Sequence, residues 1–108
     1  MRSRRKGANA ELEVIDLLRA AGWTHAHRNF GSGSAGGGDI ARGPQGCALE
    51  VKRTEAFRLR DAWRQVNEDA IPRGDMPVVL HRWNGGPWLA IVEADELLEL
   101  LRMREMAA

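Results

Sequence analysis

Asp39, Glu50 and Lys52 are the first residues in this chain whose types and spacing suggest chemistry. In Ala48-Leu-Glu-Val-Lys52 the two-residue period of a strand puts Glu50 and Lys52 on one face, and Cys47, Leu49 and Val51 on the other. An acid-x-lysine triplet is common on exposed strands and is weak by itself. Asp39 adds weight, because a hairpin-length connection to Glu50 lets two carboxylates on neighbouring strands reach one divalent ion. Such a set suits phosphodiester hydrolysis. The ion polarises a phosphate oxygen and lowers the pKa of a bound water, and the ammonium steadies the developing negative charge. Hard oxygen donors favour Mg²⁺, with Mn²⁺ as substitute, over zinc.

Glu11 is a fourth candidate. At about 100° per residue the apolar positions Ala8, Leu12, Val14, Ile15, Leu17, Leu18 and Ala21 average to the direction of Glu11 itself. Glu13 and Asp16 point away and read as solvated charges. A carboxylate on the buried face needs a cation, a partner or a wet cleft. The alternative is that the helix start is simply exposed, where the helix dipole favours an acid.

These residues need elements to position them. Apolar spacing predicts a helix over Asn9–Ala21, stopped by Gly22. A short strand follows over Trp23–Phe30, and the segment 31–38, Gly-Ser-Gly-Ser-Ala-Gly-Gly-Gly, reads as a flexible loop. Asp39-Ile40-Ala41 and Cys47–Arg53 form a strand pair around Gly43-Pro44-Gln45-Gly46. A second helix is expected from about Leu59 to Ala70, with Leu59, Trp63, Val66 and Ala70 on one side. Strands Pro77–His81 and Trp88–Val92 flank the turn at Asn84-Gly85-Gly86, and a leucine-rich helix over Asp95–Arg104 ends the series. The order is α-β-β-β-α-β-β-α, an α/β fold.

At 108 residues there is room for one core and hardly for two, so residues 1–108 read as a single domain. No segment could span a bilayer, and no apolar run of signal-peptide length follows the basic start, so a cytoplasmic protein that does not engage membranes is expected. Residues 1–82 carry 14 Lys/Arg against 10 Asp/Glu, whereas residues 83–108 carry 2 against 5, so a polyanion would meet the first three-quarters. The single Cys47 reads as a small hydrophobe. The glycine-rich loop lacks the Gly-Lys-Ser/Thr ending of a phosphate-binding loop. His25, His27 and His81 receive no role. Trp63 and Trp88 read as core, and Trp83 as an exposed contact.

Three segments taken together, Arg5-Lys6-Gly7-Ala8-Asn9-Ala10-Glu11, Gly36-Gly37-Gly38-Asp39-Ile40 and Leu49-Glu50-Val51-Lys52, resemble the Holliday junction resolvases of archaea and their phage relatives in the PD-(D/E)XK nuclease superfamily. The resemblance spans roughly residues 4–92. It implies a restriction-endonuclease-like core with a central mixed β-sheet flanked by helices, and a homodimer that resolves four-way DNA junctions by paired symmetric nicks. It implies that Asp39, Glu50 and the Val51 carbonyl ligate the metal, that Glu11 completes the site, that Lys52 serves catalysis, and that Gln65 supports it from the second helix. Arg28 would contact phosphates, as would Arg4, Arg5 and Lys6 in a basic arm over residues 1–7, with Ser32 and Ser34 of the loop and Arg53 as further DNA contacts. Two departures stand out: Leu12 where the family often has a basic residue, and Gly38 where the superfamily's name has proline. Three alternatives stay open, an endonuclease of this superfamily acting on other DNA (nicking, flap or duplex), a non-catalytic DNA-binding protein with this fold, and a structural or assembly protein, against which the basic first three-quarters argues.

Overall fold

The structure is a computed structural model that describes residues 2–29 and 38–108, with side chains from Asn9 onward in the first segment. Helix α1 covers Arg2–Ala20, a strand β1 His27–Arg28, β2 Ile40–Ala41, β3 Cys47–Arg53, α2 Leu59–Ala70, β4 Met76–Arg82, β5 Leu89–Ile91 and α3 Ala94–Ala107. This is the expected element order, with a short 3-10 turn, Ile71–Arg73, added after α2.

Helix α1 starts at Arg2 instead of Asn9, so residues 2–7, expected as an arm, have a helical backbone. Arginine, lysine and alanine are good helix formers, but without apolar residues they leave no periodicity to read. The helix closes as Gly22 suggested: its φ is +118°, and the N–H of Trp23 donates to the Leu18 carbonyl at 2.9 Å.

The strand expected over Trp23–Phe30 contracts to two residues, and its partner also differs from expectation. β2 pairs antiparallel with β1, with Arg28 opposite Ile40, and forms no hairpin with β3. Positive φ at Arg42 (60°) and Gly46 (80°) turns the chain away before a two-strand ladder can form. What joins the two groups of strands is one parallel bridge, Gly38 to Leu49.

β3 runs parallel to β4 over seven residue pairs, with Glu50 opposite Val79 and Lys52 opposite His81, and α2 makes the crossover. β5 adds antiparallel to β4. The result is a central mixed sheet flanked by helices, the fold class expected.

The strand alternation distributes the core over both faces. Leu49, Val51 and Val78 pack with Ala10, Val14 and Ile15 of α1, whereas Ala48 and Val79 pack with Ala62, Val66 and Ala70 of α2. Val14, Val66 and Val79 are fully buried, each contributing about 1.5–3 kcal/mol by removal from water. Trp63 and Trp88 are half-buried against these clusters, and Trp83 is exposed. Leu59 is exposed instead of joining the α2 core face. Among the described residues no helix is long and apolar enough to cross a membrane.

Candidate active site

Asp39 is fixed through its backbone and its side chain. Its N–H donates to the Leu49 carbonyl at 2.8 Å, and its own carbonyl accepts the Asn29 N–H at 2.9 Å. Its Oδ2 accepts the Val51 N–H at 2.8 Å. The close approach of strands that allows this depends on Gly38, which has φ +80°, and a Cβ there would lie 2.4 Å from the Leu49 oxygen. Proline, held near −65°, could not stand in its place. The departure noted in the sequence therefore has a local cause.

Glu50, in the middle of β3, is only 5 % exposed, and its carboxyl feels the charge of Asp39 close by. Lys52 Nζ lies 3.5 Å from Glu50 Oε2. The three residues singled out by spacing are thus brought together, although by the Gly38–Leu49 bridge and not by a hairpin.

Burial, and then the charge of Asp39, pushes the Glu50 carboxyl up to about 7. Asp39 is also raised, first by burial, against the opposing Val51 N–H. Two carboxyls in one low-dielectric place hold a proton between them unless a cation replaces it. Among the described residues no group of three or more His, Cys, Asp or Glu side chains gathers. Two hard carboxylates fit Mg²⁺, which keeps several of its waters and needs only one or two protein carboxylates.

Glu11 projects from α1 and accepts the Arg28 Nε–H at 2.7 Å. Its charge raises the Asp39 carboxyl, so it borders the same site. Of the needs foreseen for this acid, the structure supplies a partner, Arg28, on β1.

No protein-family model matches this chain, and no curated protein matches it by sequence. Among solved structures it is similar to Archaeoglobus fulgidus Hjc, a Holliday junction resolvase from an archaeal hyperthermophile. The two are 25 % identical with a TM-score of 0.60, over 81 % of this chain and 72 % of that one. The fold is that of a Holliday junction resolvase.

In this fold, Lys52 and Gln65 line a common cleft of about 340 Å³ with Thr54, Phe57 and Arg58. Gln65, proposed on a local resemblance alone, therefore faces the same space as the site lysine. His81, opposite Lys52, is buried beneath Phe57, whose ring stacks on it at 3.9 Å.

One reading needs correction. Glu13, expected as a solvated charge, accepts hydrogen bonds from Arg53 (2.7 Å), from Arg82 and from Trp88 Nε1 (3.1 Å). Arg53 and Arg82 lie side by side on parallel strands, and their guanidinium groups need an acid between them. Helical periodicity could not reveal this, because the partners come from the sheet; the residue pairing of β3 with β4 could have. Arg53, expected on DNA, is engaged here. The side chains of Arg4, Arg5 and Lys6, together with Ser32 and Ser34, lie outside the described residues. A residue that sequence reasoning missed is Asn29, whose Nδ2 donates to the Gly38 carbonyl at 3.1 Å beside its backbone bond to Asp39. Nothing in the sequence pattern marks it.

Proposed function

We propose that this chain is a Mg²⁺-dependent endodeoxyribonuclease, with Mn²⁺ able to substitute, that resolves four-way DNA junctions by paired symmetric nicks as a homodimer. The observation that carries this reading is the buried Asp39–Glu50 carboxyl pair with Lys52 beside it, on a fold shared with a junction resolvase.

Asp39, Glu50 and the Val51 carbonyl would hold the ion. When bound, it would polarise a phosphate oxygen and lower the pKa of a water. Val51 N–H keeps the Asp39 carboxylate aimed at the site. Lys52 steadies the charge that gathers on the scissile phosphate, and Gln65 orients the reacting groups from across the cleft. Glu11 sets the direction of Arg28, which meets a backbone phosphate together with Arg4, Arg5, Lys6, Ser32 and Ser34. Arg53 is left to Glu13.

End-labelled four-way, flapped and linear duplex DNA, incubated with Mg²⁺, Mn²⁺ or EDTA, tests the reading, with Asp39→Asn beside the natural chain. Paired nicks at symmetric positions of the junction are expected with either metal and none with EDTA or Asp39→Asn. Equal cutting of linear duplex would sink the junction assignment. Junctions bound but left whole in Mg²⁺ would sink the nuclease.

A further inference from the structure

Helix α3 is out of character for a surface element. None of its residues is buried, yet Leu97, Leu98, Leu100, Leu101, Met103 and Met106 are between 41 % and 81 % exposed. Apolar side chains left this exposed on a surface helix mark a docking site.

The spacing of one stripe says what docks there. Glu93, Leu97, Leu100 and Arg104 follow each other at intervals of four, three and four, the heptad seam of paired helices. An acid stands at one end of the seam and a base at the other. In a parallel pair, Glu93 would face Glu93 and Arg104 would face Arg104. In an antiparallel pair each Glu93 meets an Arg104, and Leu97 meets Leu100, twice over by symmetry. The opposed helix dipoles add to the preference.

We propose that α3 pairs with α3 of a second copy of this chain, antiparallel about a twofold axis, through Glu93, Leu97, Leu100 and Arg104. This gives a surface to the homodimer that the functional reading above calls for, and it rests on that reading only in this respect. A 14-residue helix is about 21 Å long, so the pair covers less than the roughly 800 Å² per partner of a standard interface. The dimer is therefore reversible.

Sedimentation velocity on the full chain without DNA, from micromolar to near-millimolar concentration, tests it. A monomer–dimer equilibrium is expected for the natural chain, and monomer throughout for Leu100→Glu, with an unchanged circular dichroism spectrum because α3 buries no residue of its own. Glu93→Arg and Arg104→Glu should each weaken the dimer by about tenfold, and the two combined in one chain should restore most of the affinity. A natural chain that stays monomeric overturns the proposal, as does a folded Leu100→Glu that still dimerises or a double reversal that recovers nothing. Metal-dependent cleavage is read separately: its absence at every concentration counts against the nuclease and leaves the sedimentation result standing.

Discussion

The Val51 N–H donates to Asp39 Oδ2 at 2.8 Å, so a β3 backbone group sets the direction of a carboxylate twelve residues earlier in the chain. An asparagine at position 39 can still accept this bond through its amide oxygen, whereas an alanine cannot. Asp39→Asn should therefore keep its melting temperature within a few degrees while junction cleavage falls by at least about a hundredfold. Asp39→Ala should lose both, with about 1–3 kcal/mol of stability gone because the Val51 N–H is left unpaired. Thermal melts beside cleavage rates separate the two effects.

The raised Glu50 carboxyl predicts how stability follows pH in metal-free protein. Its pKa rises on folding from 4.5 to about 7, so it contributes stability that is complete below about 4.5 and is lost as pH climbs through about 7. At 1.36 kcal/mol per unit the loss is about 3 kcal/mol. Denaturant titrations should show the natural chain weaker at pH 8 than at pH 5, Glu50→Gln with a flatter profile, and Mg²⁺ restoring stability chiefly at the alkaline end. A natural chain without Mg²⁺ that gains stability from pH 5 to pH 8 would contradict the assignment.

Glu13 predicts a purely structural phenotype. Glu13→Ala would strand the Arg53 and Arg82 guanidinium groups, whose Nε atoms already lack partners, and would remove the acceptor of Trp88. Since these side chains are about a quarter to a third exposed, the cost is about 2–3 kcal/mol, below that of a fully buried pair. At low temperature, where the variant stays folded, its cleavage rate should match that of the natural chain. A Tm equal to the natural chain's would show that water replaces the network.

Gly38→Ala couples stability to activity. A Cβ there meets the Leu49 oxygen, and φ +80° is strained for alanine, together costing at least about 1–3 kcal/mol. The bridge that fixes Asp39 should open, so cleavage should fall even in the folded fraction. Unimpaired activity per folded molecule would mean that Asp39 finds its place without the bridge.

The sequence carried what depends on local periodicity and chemical type. α2 begins and ends where expected, β3 alternates as its residues required, and Asp39, Glu50 and Lys52 meet. It misled wherever partners are remote in the chain. β2 turned from β3 to β1, Arg53 turned inward, and Glu13 became a junction of three donors through contacts 40, 69 and 75 residues away. The start of α1 was hidden for another reason, since helical residues without an apolar face leave no period.

Among its bonds to described residues, Asn29 donates its backbone N–H to the Asp39 carbonyl and its side-chain Nδ2–H to the Gly38 carbonyl, so positions 29 and 38–39 are held together. Asp39 is thereby fixed from the Asn29 side as well as from β3. If Asp39 and Glu50 act as proposed, the aim of the metal-holding pair is set by the two ends of this stretch and by β3, and a change of residues within it would alter contacts made by the stretch before it altered the pair.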